Sequence, residues 1–425
     1  MKHRLTTVLA ATAGALAALA ATSAFADDTQ ATTPAAAPAA APAAPAPPSA
    51  APYPAMSASI AGNAPPLTFD LGILGSKVTI GGVISGYAQA QDNPVFNFST
   101  GKKDQNATID LSNAQLFINK SDGFVQYFVE VGAYSLPALG PFPYTNASKQ
   151  PGLTYGNLPQ GFLKLVPNAN FSIEVGALPT LIGDEYTFSF ENLNVERGLL
   201  WGYEPAVSRG VQANFTFGPL ALSVAWTDGF YSGKYNSISG LATWTIDSAD
   251  TLAFDAEAPT GKVNVVTSAT YPPTANESIY NIMFTRTMGP WTVNPYVQYT
   301  KTPSSSFYGY KGVDSWGAAL LLNYAFDSKS KLSGVSLPFR VEYLSSQGSS
   351  NSPFQPNILF APGAKSWSFT VTPTYQYKQY FVRAEASYVT ATHIDPYAFF
   401  LGTAYGTSGD KKDQIKGIIE TGVAF

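Results

Sequence analysis

Apolar and polar residues alternate along most of the chain. In FVQYFVEVGAY (124–134), valine and tyrosine at the odd positions form an apolar face, whereas Gln126 and Glu130 lie on the opposite face. WGAALLLNYAF (316–326) and SFTVTPTYQY (368–377) repeat the pattern. Because successive strand residues point to opposite sides of a sheet, each segment predicts a β-strand with one apolar and one polar face.

Short and long connections alternate between these strands. Turn residues mark seven short connections, at Lys120–Gly123, Pro167–Asn170, Gly218–Pro219, Asp247–Asp250, Gly289–Pro290, Asp327–Gly334 and Tyr377–Gln379. Eight longer stretches rich in Gly, Ser, Pro and Asn lie near 91–107, 135–156, 179–206, 229–237, 259–276, 302–311, 347–363 and 392–412. Together they predict an all-β transmembrane antiparallel barrel of about sixteen strands. A soluble β-sandwich, the alternative, does not require this alternation.

Composition restricts the chemistry of such a barrel. Charged residues make up 12% of the chain, about half the ~25% of an ordinary soluble domain. There is no cysteine, which excludes disulfides and thiolate metal sites. The formal net charge of −4 argues against nucleic acid as a partner. We expect no metal site and no cofactor.

The N-terminus predicts export. Residues 1–26 combine a basic start, a short apolar run and the Ala24-Phe25-Ala26 cleavage signal of a secretory signal peptide. A membrane anchor is the alternative, although the run is short and rich in alanine. Removal of the leader takes away Lys2 and Arg4, which leaves 22 basic against 28 acidic residues and a formal net charge of −6.

Two further segments complete the predicted organisation. Residues 27–66 are rich in Ala and Pro and predict a disordered spacer, a passive tether in the simplest interpretation. Residues 67–425 form the predicted barrel domain. The chain ends in IKGIIETGVAF, an alternating strand that terminates in Phe425. This end looks like the C-terminal assembly signal of bacterial outer-membrane proteins, and it implies the barrel-assembly machinery as a partner.

Odd and even positions of a strand lie on opposite faces, and this parity places the charged strand residues on the polar face. That face should line the lumen because charge facing lipid is costly. The predicted lumen-facing residues are Glu130, Lys164, Glu174, Asp255, Glu257, Arg340, Glu342, Arg383, Glu385, Lys416 and Glu420. A sixteen-stranded barrel is too wide for side chains to fill, so a water-filled channel is expected.

The third long loop breaks the alternation. SFENLNVERGLLWGYEP (189–205) mixes charges with large apolar residues, and Asn192 could cap a short helix that stops at Gly198. We expect the loop to fold inward, with its apolar residues on the wall and its charges facing the water path. These constriction charges are Asp184, Glu185, Glu191, Glu196, Arg197 and Glu204. Their excess of acids predicts a modest cation preference. The alternative is an ordinary solvated external loop.

The same region carries a family resemblance. Its motifs are Pro179-Thr180-Leu181-Ile182-Gly183, Asn192 and Asn194, Arg197-Gly198-Leu199-Leu200, Glu204-Pro205 and Ser208-Arg209-Gly210-Val211. GGVISGYAQAQDNP and ATIDLSNAQLFINKSDG, near the start of the barrel, look similar too. The chain resembles the OmpL-like outer-membrane β-barrel porin family. The resemblance implies a porin fold and a pore function, without a substrate.

The leading hypothesis is therefore a porin of the bacterial outer membrane through which small hydrophilic solutes or ions diffuse. A solute-specific channel, for example for sugars, is the alternative suggested by the many aromatic residues. An outer-membrane enzyme would have to use His393, which has Asp395 nearby but no evident nucleophile. The expected partners are outer-membrane lipid and the solutes, and a homo-oligomer is left open.

Overall fold

The computed structural model describes residues 67–70, 77–97, 102–264, 272–348, 359–394 and 404–425. The predicted signal peptide 1–26 and the spacer 27–66 lie outside the described residues, as does Asp395. Within the described part, no helix is both long and apolar enough to cross a membrane.

Sixteen long strands follow the alternating segments of the sequence. They are β1 Lys77–Gln91, β2 Ala107–Lys120, β3 Val125–Tyr134, β4 Gln160–Asn168, β5 Phe171–Pro179, β6 Val207–Phe217, β7 Leu220–Thr227, β8 Ser237–Thr245, β9 Asp250–Pro259, β10 Ser278–Met288, β11 Trp291–Thr302, β12 Val313–Ala325, β13 Val335–Ser346, β14 Lys365–Val371 with its continuation Thr374–Tyr377, β15 Tyr380–Thr392 and β16 Asp413–Ala424.

Each strand pairs antiparallel with its sequence neighbours, and the last strand pairs with the first. In that closing pair, Val83 lies opposite Ala424 and Gln91 lies opposite Lys416. The terminal Phe425 adds two backbone hydrogen bonds with Gly82, of 2.8 and 3.0 Å. The predicted sixteen-stranded antiparallel barrel is confirmed.

Three kinds of short element accompany the barrel. A short strand, Leu67–Asp70, pairs with Lys77–Ile80 at the start of β1. Phe96–Asn97 and Lys102–Lys103 pair within the first long loop. One-turn helices form at Gln150–Leu153 and Pro272–Ala275 in the second and fifth long loops.

The outer face of the barrel carries two bands of aromatic residues. Near the long-loop ends of the strands, Tyr299 packs on Trp316 with ring centroids 4.6 Å apart. Near the short-turn ends, Trp291 packs on Tyr324 at 4.8 Å. Aliphatic side chains such as Val297 lie exposed between the bands. This distribution is typical of a lipid-facing barrel surface with an aromatic girdle at each interface.

The third long loop, residues 180–206, lies inside the barrel, as the sequence predicted. It contains two short 3₁₀ segments, Ser189–Glu191 and Leu200–Tyr203. The predicted helix between Asn192 and Gly198 is wrong, because no helix forms there. The Asn192 side chain instead bonds to the backbone of Tyr186 and Phe188, so that it closes a turn within the loop.

Candidate pore constriction

Hydrogen bonds attach the third loop to strands on different sides of the barrel. The Gly183 N–H donates to Asp255 on β9 at 3.0 Å, and Asn113 on β2 donates to Ser189 at 2.9 Å. The Asn194 amide donates to Thr372, between the two parts of β14, at 2.7 Å. Because these partners are spread around the wall, the loop must cross the interior of the barrel.

Arg340 on β13 binds the loop at two points. Its Nη1 donates to Glu185 Oε1 at 2.5 Å and to the Glu196 carbonyl at 2.8 Å. Its Nε lies 3.4 Å from Glu342 Oε2. The Arg340 side chain is fully buried, so these charge-assisted contacts lie in a region of low dielectric constant, where they are strong.

Wall carboxylates accept hydrogen bonds from the loop backbone. Glu342 accepts from the Leu199 N–H at 3.0 Å and from the Leu200 N–H at 3.2 Å. A Cβ at Gly198 would overlap the Glu342 carboxylate. The Arg197-Gly198-Leu199-Leu200 motif thus has a structural reason, since only glycine permits this close approach.

Glu385 on β15 is used in the same way as Glu342. It accepts from the Val195 N–H at 2.6 Å and from the Glu196 N–H at 3.0 Å. The Thr372 hydroxyl also donates to Glu385, at 2.7 Å. Because Thr372 is the acceptor for the Asn194 amide, one wall network holds this part of the loop through three consecutive residues.

The last two strands hold the middle of the loop. Lys416 Nζ donates to Glu196 Oε1 at 2.6 Å. Arg383 pairs with Glu420 at 2.6 Å and donates from Nη1 to the Asn192 carbonyl at 3.0 Å. The loop therefore bridges charges on β15 and β16, and the wall charges here are paired.

Glu204 anchors the end of the loop on β11. The Tyr296 hydroxyl donates to Glu204, and Gln298 Nε2 donates to the same oxygen at 2.8 Å. A Cβ at Gly183, where φ is +83°, would overlap the Glu204 carboxylate. Burial raises the pKa of Glu204 well above its usual value, and the neighbouring Asp255 raises it further.

Apolar residues of the loop also pack on the wall. Leu199 and Leu200 belong to one buried cluster with Leu241, Met283 and Leu321, which come from strands β8, β10 and β12. Phe190 packs against Phe117 on β2 with ring centroids 5.5 Å apart. Apolar contacts therefore hold the loop on both sides of the lumen.

The predicted orientation of the loop charges is wrong for five of the six residues, because their side chains are buried. We expected Asp184, Glu185, Glu191, Glu196, Arg197 and Glu204 to face a water path. Asp184 is fully buried and accepts from Asn294 at 3.1 Å. Of the six residues, only Glu191 is partly exposed. The physical reason is that the inner face of the strands is itself polar, so a loop that packs on it must offer it complementary charges.

Arg197 differs from the other loop charges. Its side chain is fully buried, and none of its guanidinium nitrogens has a hydrogen-bond partner in the part of the chain that the structure describes. The guanidinium carbon lies 5.4 Å from the centroid of the Trp201 ring. Burial lowers the pKa of Arg197 to about 10, although nearby Glu185 opposes the shift. The group therefore stays charged at neutral pH.

All eleven strand charges assigned to the lumen by parity are buried or nearly so. Seven of them bond to the loop, namely Asp255, Arg340, Glu342, Arg383, Glu385, Lys416 and Glu420. Glu130 instead accepts from Gln115 at 2.7 Å, and Lys164 pairs with Glu174 at 3.0 Å. Glu257 lies on the same face of β9 as Asp255, and only 4% of it is exposed.

A cavity of about 410 Å³ remains between the loop and the wall formed by β2–β5. Lys120 and Ser121 line it at the short-turn end, and Gln160 and Pro179 line it at the long-loop end. Its other lining residues include Asn119, Gln126, Phe128, Phe162, Lys164, Glu174, Tyr186 and Glu191. The cavity thus lies along residues 160–164 and 174–179 of the β4–β5 hairpin.

Glu191 is the loop carboxylate that lines this cavity. Desolvation in the barrel interior raises its pKa to about 7, although the Phe188 N–H bond and the charge of Arg197 oppose the shift. The Phe188 N–H donates to Glu191 Oε2 at 3.0 Å. The charge of the cavity therefore changes near neutral pH.

Two phenyl rings of the cavity were not among the predicted lumen residues. Phe128 shares the parity of Gln126 and Glu130, so the alternation could have placed this phenyl ring in the lumen. Phe162 shares the parity of Lys164 in the same way. Neither residue was predicted, because the parity argument was applied to charged residues alone.

His393, the residue considered for catalysis, lies at the outer end of β15. It is exposed, its φ is +57°, and its Nδ1 lies 3.2 Å from the Thr392 hydroxyl. Across the described ranges, no group of three or more His, Cys, Asp or Glu side chains could hold a metal ion.

Comparison with known proteins places this architecture among porins. The model of the family described as "Putative beta-barrel porin-2, OmpL-like" matches residues 77–425. An anion-selective porin from Comamonas acidovorans superposes with a TM-score of 0.54 at 9% identity, over 82% of this chain and 100% of that chain. At this identity the likeness shows the fold alone. No curated protein matches the chain.

A second solved structure gives the same result. Outer-membrane expressed OmpT of Vibrio cholerae has a TM-score of 0.54 at 11% identity, over 85% of this chain and 100% of that chain. The trimer form of in-vitro folded Vibrio cholerae OmpT has a TM-score of 0.52 at 10% identity, over 82% and 99% of the two chains.

Proposed function

We propose, because the chain belongs to the OmpL-like β-barrel porin family, that small hydrophilic solutes and ions diffuse through the space between its third loop and the β2–β5 wall. The family and the fold are those of a porin of the bacterial outer membrane. The observation that supports the path is the cavity of about 410 Å³ along the β4–β5 hairpin. On the other side of the lumen the loop is bonded directly to Asp255, Glu342 and Glu385 of the wall.

In this proposal the loop sets the width of the pore. Residues 180–206 fill the side of the lumen next to β8–β16 through the contacts of Arg340, Glu342 and Glu385. The constriction charges then act in two ways. Glu185, Glu196 and Glu204 hold the loop, and Glu191 faces the passing solute.

The outer surface and the C-terminal strand of the barrel indicate its partners in the membrane. Outer-membrane lipid would cover the aliphatic belt between the aromatic bands. The barrel-assembly machinery would recognise the C-terminal strand that ends in Phe425. A homo-oligomer is supported by the trimer form among the similar folds.

Thiol labelling in planar bilayers tests the path. The chain contains no cysteine, so an introduced thiol is unique. Gln126→Cys places it in the cavity, and Ser315→Cys places it on the opposite, loop-filled wall, where Ser315 is buried. A charged thiol reagent should lower the single-channel conductance of Gln126→Cys and leave that of Ser315→Cys unchanged. The reverse pattern would move the path to the other wall, and purified protein without any channel steps would refute the porin function.

A further inference from the structure

The cavity beside β2–β5 has an aromatic wall that the pore proposal does not explain. Phe128 and Phe162 both line it, with ring centroids 5.7 Å apart. Phe117 makes the wall's contact with Phe190 of the loop. Phe117 also stacks on Phe128 with ring centroids 6.3 Å apart, so Phe128 and Phe162 continue this row of rings into the cavity. Phenyl rings beside an aqueous path are unfavourable unless something apolar covers them.

The charges of the same cavity largely cancel. Lys164 Nζ lies 3.0 Å from Glu174 Oε1, and the two side chains are 15% and 2% exposed. Lys120 Nζ lies 3.6 Å from Asp122 Oδ1 and donates to the carbonyls of Asp122 and Val125, at 2.6 Å each. Glu191 is the remaining lining charge, and its raised pKa leaves it partly neutral. Such a lining gives no strong field for either ion sign.

Amide groups supply hydrogen bonds next to the rings. Only 6% of Gln160 is exposed, it lines the cavity, and its side chain makes no hydrogen bond within the described part of the chain. The amide opens into the cavity without a protein partner, so a ligand with hydroxyl groups could bond to it in place of water. Gln126 and Asn119 add further amides along the same wall.

We infer that this cavity is a binding subsite for a neutral, polyhydroxylated solute of mono- to disaccharide size. The inference rests on the proposed porin function. Phe128 and Phe162 would pack on the C–H face of a sugar ring, and Gln160 would bond to its hydroxyls. The volume of about 410 Å³ lies within the ~300–1,000 Å³ of small-ligand sites.

The test is sugar-dependent block of the ion current through single channels, with maltose as the probe. A polyethylene glycol of matched mass controls for size. Maltose should block the wild-type channel at lower concentration than the polymer does. Phe162→Leu keeps an apolar side chain but removes the ring, and Gln160→Leu removes the amide. Each should raise the half-blocking maltose concentration about 5-fold, the loss expected for one aromatic contact or one hydrogen bond.

Phe171→Leu is the matched control, because Phe171 packs on Phe215 at 5.1 Å on the outer face of the barrel. It should leave the maltose block unchanged. Variants are compared only when they migrate as folded barrels in detergent gels and form channels. Equal block by maltose and the polymer, or block unaffected by both variants, would overturn the sugar subsite while the porin function stands. Preferential block by lysine or glutamate would replace it with a charged-solute site. Absence of channels would refute the porin function and this inference with it.

Discussion

Arg340→Met should release the third loop from the barrel wall. The substitution retains an unbranched side chain of similar length but removes the guanidinium that contacts Glu185, the Glu196 carbonyl and Glu342. Glu185 and Glu342 would then be buried carboxylates without their cation. We expect the loop to leave the wall more often and the pore to widen intermittently.

The magnitude follows from burial. The Arg340 side chain is 0% exposed, and those of Glu185 and Glu342 are 9% and 1% exposed. Removing one partner of such a buried pair costs about 3–5 kcal/mol. That cost lowers the ratio of docked to undocked loop roughly 10²- to 4 × 10³-fold. Arg340→Lys should be intermediate, because a single ammonium cannot reproduce the fork of the guanidinium.

Single-channel recording is the assay. Arg340→Met should show a larger mean conductance or frequent excursions to larger levels, whereas the wild type stays at one level. The control is Arg286→Met, since Arg286 is 51% exposed and lies 3.4 Å from Asp250 near the short-turn end of the barrel. An exposed pair of this kind contributes about 1 kcal/mol at most. A single, steady conductance level in Arg340→Met, equal to that of the wild type, would show that this residue does not hold the loop.

Three further predictions follow from other parts of the barrel. As pH falls from 8 to 6 in dilute salt, the Glu191 carboxyl should protonate around its pKa of about 7, so the cation preference measured by reversal potential should decrease; Glu191→Gln should show the low-pH value throughout, and an unchanged pH response would place the titrating group elsewhere. Deleting Phe425 should reduce the surface level of the barrel more than deleting residues 28–60, because Phe425 makes the last two backbone bonds of the closing seam; equal surface levels would contradict this. Unboiled protein should migrate differently from boiled protein in detergent gels, since a closed strand network resists detergent; identical migration would contradict a closed barrel.

The strands and their connections could be predicted because the signal is local. Period-two alternation records which face of each strand meets lipid, and turn residues such as Gly218 and Gly289 interrupt it. Their order fixes the topology, because consecutive antiparallel strands pair with each other. For this reason the predicted turns at Gly218–Pro219 and Gly289–Pro290 coincide with the gaps between β6 and β7 and between β10 and β11.

The partners of the loop charges could not be predicted in the same way. Glu185 and Arg340 are 155 positions apart, and Glu196 and Lys416 are 220 apart. Parity places Arg340 and Lys416 in the lumen but does not show which loop residue each one meets. The loop lacks a period that would indicate a buried face. Its charges were therefore interpreted as exposed, although the interior of a porin is a surface on which a charged loop can be buried.

That burial changes where ion selectivity can arise. A carboxylate selects ions when its charge reaches the water path. A carboxylate that is paired within the wall contributes little to the electric field in that path. Glu196 is paired with Lys416, and Glu204 is bonded to Tyr296 and Gln298, so neither has its charge directed at the cavity. Neutralising these two residues should weaken the attachment of the loop before it changes selectivity. The modest cation preference that the sequence predicted from several loop acids would then depend mainly on Glu191.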